Sequence, residues 1–277
     1  MKKHLKKYLT MASILSLALF LAACSNKPIN SRSTGIWDKG IVYSFSRAII
    51  WLAHTFGGYG MGIIIFTIIV RIVILPLMIY QTKSMRKTQE LQPKLKALQK
   101  KYSSKDMETV RKLQEEQKQL YSEAGVNPFA SILPMIVQLP VIYALYQAIW
   151  RTDVLRGGSF LWLELGHRDP YFILPILAAV FTFFSSWLSM ASQPEKNTMT
   201  SAMTWVMPIM IFFMAMNISS AISLYWVVTN AFQVGQTLVI QNPFKINRER
   251  AEKEAAEKAH RKAVEKAKRN ARKSRRK

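Results

Sequence analysis

The chain has 277 residues, half of them hydrophobic, and carries 39 Lys+Arg against 16 Asp+Glu, a net charge of +23. Self-repulsion of that size opposes the compaction of one soluble globule, while 11 Gly and 11 Pro are too ordinary for a low-complexity chain. One cysteine excludes an intramolecular disulfide framework and a cysteine-built zinc site, and four scattered histidines give no basis for a metal centre.

Residues 1–23 read as a secretory signal: Lys2, Lys3, Lys6 and Lys7 precede a charge-free apolar run from Tyr8 to Ala23. The run ends Leu21-Ala22-Ala23-Cys24, which resembles a bacterial lipoprotein signal whose thiol receives diacylglycerol. The competing reading is an ordinary signal with an incidental cysteine. Removal of the signal would lower the charge from +23 to +19. A polar extracellular linker (24–35) follows. Residues 36–56 mix Trp37, Ile41, Phe45 and Ile49 with Asp38, Lys39, Arg47 and His54, as in an amphipathic helix lying in the outer interface. Gly57-Gly58 breaks it.

Five segments approach the ~20 apolar residues that a bilayer core requires: 59–80, 129–150, 171–190, 198–216 and 219–240. The last two are separated only by Asn217-Ile218-Ser219-Ser220, read as a tight turn. Between the first two lies 83–126, read as a helical hairpin. Leu91, Leu95, Leu98 and Tyr102 form one stripe, and Met107, Val110, Leu113 and Leu120 a second. Pro93 kinks or restarts the first arm, and Ser103 to Asp106 offers an S-x-x-D cap. An odd number of spans after an exported start places the N-terminus outside and the C-terminus in the cytoplasm. Charge agrees: segment 81–128 holds eleven Lys/Arg and the tail 245–277 fifteen. The outer loop 151–170 has only Arg151, Arg156 and Arg168, set against Asp153, Glu164 and Asp169.

Arg71 stands near the middle of the first span, roughly 15 Å from either end at ~1.5 Å per residue, too deep to reach an interface. No Asp, Glu or His occurs in the five spans to neutralise it. It is tied either to backbone carbonyls near Pro76 or to a water-filled polar cavity. Thr67 lies one turn before it. Ser131, Gln138 and Tyr146 share a face of the second span, and Trp226, Asn230, Gln233 and Thr237 one of the fifth. Singly these read as interhelical hydrogen bonding; beside an unpaired Arg71 they suggest a shared polar groove. Met199, Met203, Met207, Met210 and Met214 form a stripe on the fourth span, either ordinary packing or an adaptable surface. The tail carries fifteen basic and five acidic residues, a composition that favours partial helix and phosphate backbones, or a solvated topogenic tail. Walker, H-E-x-x-H and G-x-S-x-G motifs are absent from the sequence, so an enzyme and a cofactor are not expected.

Several blocks in order resemble the YidC/Oxa family of membrane protein insertases, in the lipoprotein form of Gram-positive bacteria. They are Thr67-Ile68-Ile69-Val70-Arg71 before Pro76, Leu91-Gln92-Pro93-Lys94, Asn127-Pro128-Phe129 leading to Pro134, Gln138-Leu139-Pro140 with Ala144-Leu145-Tyr146, and Leu224-Tyr225-Trp226 with Asn230. The resemblance covers 36–240. It implies an all-α membrane protein with five transmembrane helices around a hydrophilic groove, an outer interfacial helix and a cytoplasmic helical hairpin. It implies Arg71 as the groove arginine and Thr67 and Trp226 as substrate-facing positions; the shared helix faces add Gln138, Asn230 and Gln233 as expected groove residues. Trp226 replaces a tyrosine of some relatives. Implied partners are nascent membrane proteins, the ribosome through 245–277, the Sec translocon, the signal recognition particle pathway and membrane lipids, with no small-molecule substrate and no metal. The expected location is the bacterial plasma membrane, with the acyl lipid on Cys24 outside. A channel or solute transporter, or a passive scaffold for membrane-protein assembly, are the rival readings.

Overall fold

The computed structural model describes residues 27–104, 106–127, 133–194 and 198–274. The signal, Cys24 and Ser131 lie outside them. The described parts form two compact units, drawn from Met1–Gln81, Phe129–Thr182 and Val206–Phe232, and from Thr82–Pro128, Phe183–Trp205 and Gln233–Lys277.

The helices, in chain order, are α1 (Ile36–Val42, wound as a π-helix), α2 (Tyr43–Phe56), α3 (Tyr59–Glu90), α4 (Gln92–Lys101), α5 (Met107–Glu123), α6 (Leu133–Trp150), α7 (Asp153–Arg156), α8 (Ile173–Ala191), α9 (Thr198–Ala215), α10 (Ser220–Ile240) and α11 (Pro243–Ser274). Strands β1 (Ser159–Phe160) and β2 (Leu163–Glu164) pair antiparallel between α7 and α8. Among the described residues, α3 and α8 are each long and apolar enough to cross a membrane, and Ile136–Trp150 and Ser201–Ala215 are shorter apolar helices. At ~1.5 Å per residue, the 32 residues of α3 extend about 48 Å, against a hydrocarbon core of about 30 Å.

In the first unit, Gly57 and Gly58 make the turn from α2 to α3. Their φ values of 87° and 120° suit residues without a Cβ, and both amides donate to the Ala53 carbonyl. Helix α3 then runs back along α2 so closely that a Cβ on Gly62 would meet the Ile49 carbonyl at 2.6 Å. The core gathers Ile49, Leu52, Ile63, Phe66, Leu145, Ile149, Leu174, Ile222 and Leu224. The loop 151–170 is more ordered than its composition suggests. It folds into α7 and the β1–β2 hairpin and buries Leu155, Leu163 and Leu165 to within 1% of full exclusion. Asp169 anchors its far end by accepting Trp162 Nε1–H at 3.0 Å and the Leu174 amide at 2.7 Å.

The stretch read as a polar linker is docked over its described part. Ile29 is buried beside Trp37, Val42, Ala144 and Ala148, and its amide donates to the Arg151 carbonyl at 2.9 Å. Arg151 does not pair with an acid of its own loop. Its guanidinium grips both Asp38 carboxylate oxygens at 2.9 and 2.7 Å, the Lys27 carbonyl at 2.7 Å and Gln147.

In the second unit α4 and α5 pack against each other as a hairpin, with one correction to its expected cap. Of the two alternatives for Pro93, the restart is the one observed: α3 stops at Glu90 and α4 begins with the proline in its first turn, where its missing N–H is harmless. Asp106, not Ser103, caps α5, accepting the Thr109 amide at 2.8 Å, so the S-x-x-D register is shifted by three positions. Only part of the second stripe packs. Leu91, Leu95 and Val126 are buried against Leu120, Tyr121 and Ala124, while Met107 is 87% exposed near the tip. Helix α11 is continuous rather than partial. Asn242 accepts the Phe244 and Lys245 amides, both at 3.1 Å, and Pro243 opens the first turn. Its root is tied down: Asn247 donates to the Ala191 carbonyl (2.8 Å), Arg250 to the Ser192 carbonyl (3.1 Å), and Glu249 meets Arg86 at 3.6 Å.

Candidate functional site

Helix α3 is two-sided around its middle. Ile68, Ile69, Ile72 and Val73 are exposed, whereas Ile63, Phe66, Thr67 and Arg71 are buried. Spacing of four residues places Thr67 and Arg71 on one face, so the arginine points into helix packing and away from the apolar outer surface. Arg71 is only 8% exposed. Among the described residues none forms a hydrogen bond or ion pair with its guanidinium. Thr67 donates to the Ile63 carbonyl at 2.7 Å, the ordinary way a helix absorbs a threonine hydroxyl, and keeps its acceptor lone pairs.

Tyr225 of α10, 2% exposed, lies close enough to Arg71 to interact with it electrostatically. Gln138 of α6 donates from Nε2 to the Tyr225 hydroxyl. One turn further along α10, Thr229 is buried with its hydroxyl beside that of Tyr225. Three helices thus bring Thr67, Arg71, Gln138, Tyr225 and Thr229 into the first unit, with no carboxylate in those helices between residues 59 and 89, 133 and 150, or 220 and 240.

Not every residue expected at this site arrives there. Trp226 and Asn230 are half-buried on α10, and Trp226 packs against the main core. Gln233 belongs to the second unit, where its carbonyl accepts the Thr237 hydroxyl at 2.8 Å. Tyr146 does not share the setting of Gln138. It is 43% exposed and stacks on Trp150 at 6.2 Å near the C-terminal end of α6. Tyr225 and Thr229 escaped the sequence reading because periodicity was counted from Trp226. The signal for Tyr225 was chemical: a tyrosine inside an apolar span needs a partner for its hydroxyl.

A family model described as "60Kd inner membrane protein" matches residues 51–249. The chain is 65% identical over 254 residues to a protein of Pediococcus pentosaceus named "Membrane protein insertase YidC", covering 91% of each chain. It is 58% identical over 252 residues to a protein of the same name from Enterococcus faecalis, again covering 91% of each. Among solved structures, "Active YidC insertase crystal structure with the first transmembrane domain resolved" matches with a TM-score of 0.57 and 28% identity, over 73% of this chain and 46% of that one. The chain spans about half the length of that solved relative while matching nearly all of the bacterial ones. A helical chain with a buried, unpaired arginine, matched over most of its length, belongs to the 60Kd inner membrane protein family, that of the YidC insertases.

Proposed function

We propose that this chain inserts nascent integral membrane proteins into the bacterial plasma membrane, without nucleotide hydrolysis, through a polar groove centred on Arg71. The observation that carries the reading is the placement of Arg71 on the buried face of α3 with no acidic partner among the described residues. Leaving one member of an ion pair buried alone in dry protein costs ~3–5 kcal/mol, so a retained cation implies water at that depth. A wet groove lowers the cost of bringing polar backbone and an acidic terminus into the membrane. Arg71 attracts the acidic external end, and burial of the apolar segment in lipid drives the step.

Five spans, an outer N-terminus held by an acyl lipid on Cys24 and a cytoplasmic C-terminus complete the proposal, and the charge distribution supports that orientation. The hairpin 83–126 would receive substrate or the targeting machinery, including the signal recognition particle, and the Sec translocon would act with the chain on larger substrates. The tail 245–277 would meet the ribosome. Its support is a helix anchored at its root, with residues 251–268 exposed throughout.

The test is reconstitution with a short single-span substrate bearing an acidic external end, scored by protease protection. Arg71→Ala is expected to remove most insertion and Arg71→Lys to preserve part of it. Wild-type insertion of every substrate by Arg71→Ala would refute the groove mechanism.

A further inference from the structure

A concavity whose lining does not include Arg71 lies in the first unit. Its volume is about 650 Å³, and its lining includes Tyr146 and Trp150 from the end of α6, His167 and Arg168 from the loop before α8, and Asn217 and Ser219 from the turn between α9 and α10. That size is ordinary for a small-molecule or headgroup site. We propose that it binds the phosphodiester headgroup of an anionic phospholipid, in the outer leaflet if the orientation proposed above holds.

Charge points to an anion. Arg168 is exposed, and it has no ion-pair partner among the described residues. The adjacent carboxylate is committed elsewhere: Asp169, 3% exposed, is taken up by Trp162 and by the Tyr171 and Leu174 amides. The arginine is therefore left free, with a planar guanidinium that suits two phosphate oxygens. His167 adds a ring nitrogen, although Glu164 lies 3.8 Å from its Nε2 and partly offsets any positive charge there. Asn217 spends one amide hydrogen on the Phe213 carbonyl at 2.9 Å and keeps the other. Ser219 adds a hydroxyl.

Position points to lipid rather than to a soluble anion. Tyr146 and Trp150, both more than 40% exposed, stack on each other at the rim, as aromatic residues do at the headgroup level. Two exposed apolar faces run from the cavity toward the middle of the helices. One carries Ile136 and Leu139 on α6, and the other Met210, Phe213 and Met214 on α9. Acyl chains lying on these faces would leave the headgroup at the cavity. An acidic peptide would satisfy Arg168 but would have no use for apolar surface on both sides.

The experiment uses the full chain purified in detergent and measures retained lipid by native mass spectrometry. Phosphatidylglycerol is expected to bind at least tenfold more tightly than phosphatidylcholine, and Arg168→Gln to remove that preference. Trp150→Ala should weaken both lipids alike. Arg71→Ala should bind lipid normally even where insertion fails, which separates this proposal from the one on which it rests. Equal phosphatidylglycerol binding by Arg168→Gln, displacement by inorganic phosphate at matched concentration, or tighter binding of an acidic peptide than of lipid would each overturn it. Arg168→Gln is expected to melt with the wild type, so loss of lipid cannot be put down to unfolding.

Discussion

The buried pair between α1 and α6 permits a prediction with a worked magnitude. Arg151 is 2% exposed in its side chain and Asp38 18%, and they meet through two parallel bonds. Replacing Asp38 by alanine leaves a guanidinium out of water with only the Lys27 carbonyl and Gln147 as acceptors. Removing one member of a buried pair costs ~3–5 kcal/mol, because the remaining charge stays desolvated. At ~2–4 °C per kcal/mol for a chain of this size, the melting temperature should fall by roughly 6–20 °C. Asp38→Asn keeps an acceptor and should lose about half as much. The Asp38→Ala/Arg151→Met double variant should recover stability relative to Asp38→Ala, since no orphan charge remains. Intrinsic tryptophan fluorescence of the protein in nanodiscs measures all three. Limited proteolysis should also reach residues 27–35 faster in Asp38→Ala, because Arg151 holds that stretch. The exposed pair Arg111–Glu115 is the control and should contribute almost nothing on disruption. An Asp38→Ala protein that melts with this control would refute the reasoning.

Other outcomes follow from single contacts. Tyr225→Phe removes the acceptor of Gln138 and should cost about 1–3 kcal/mol; a cycle with Gln138→Ala should show strong non-additivity in thermal melting. Gly62→Ala places a methyl 2.6 Å from the Ile49 carbonyl and should cost about 1–3 kcal/mol or more. Gly235→Ala, which meets nothing within 4 Å, should be neutral or stabilise α10 by up to ~1 kcal/mol. The hairpin carries a pH dependence of defined sign. Bonds from Ser104 and the Thr109 amide hold Asp106 well below the usual carboxylate range, and bonds from Tyr102 and Lys101 lower Glu116. Both contributions are complete above the ordinary carboxylate range and vanish as pH falls through the depressed values. Lys101, raised by Tyr102 and Glu116, contributes until pH rises through its elevated value. Amide exchange of residues 107–123, corrected for intrinsic rate, should therefore be flat around neutrality and lose protection in acid. Asp106→Asn should keep the cap and blunt the acid limb.

Much of the architecture was legible because membrane helices are written in long apolar runs, with charge asymmetry at their ends. The turn at Gly57-Gly58, the break at 217–219 and the restart at Pro93 follow from local backbone chemistry that needs no partner. The loop 151–170 was opaque for the opposite reason. Strands of two residues have no period to read, and Leu155, Leu163 and Leu165 reveal themselves as core only where α8 and α10 close around them. The loop's charges gave its sign balance and no pairing. Arg151 reaches back to Asp38, a choice made by the packing of α1 against α6.

At the site the division is sharper. The amino-acid sequence by itself determined that an arginine must lie deep in an apolar helix with no acid in the spans to meet it, since hydropathy and composition suffice for that. Which face it takes, and which residues share it, were decided only by tertiary structure. Helix α10 turns Tyr225 toward Arg71, α6 delivers Gln138 and keeps Tyr146 for its C-terminal end, and Gln233 falls in the other unit. A rotation of one residue moves a side chain by about 100° around a helix, and no one-dimensional period resolves that angle. Packing does, because close contacts such as Gly62 against Ile49 admit one rotation of each helix and exclude the rest.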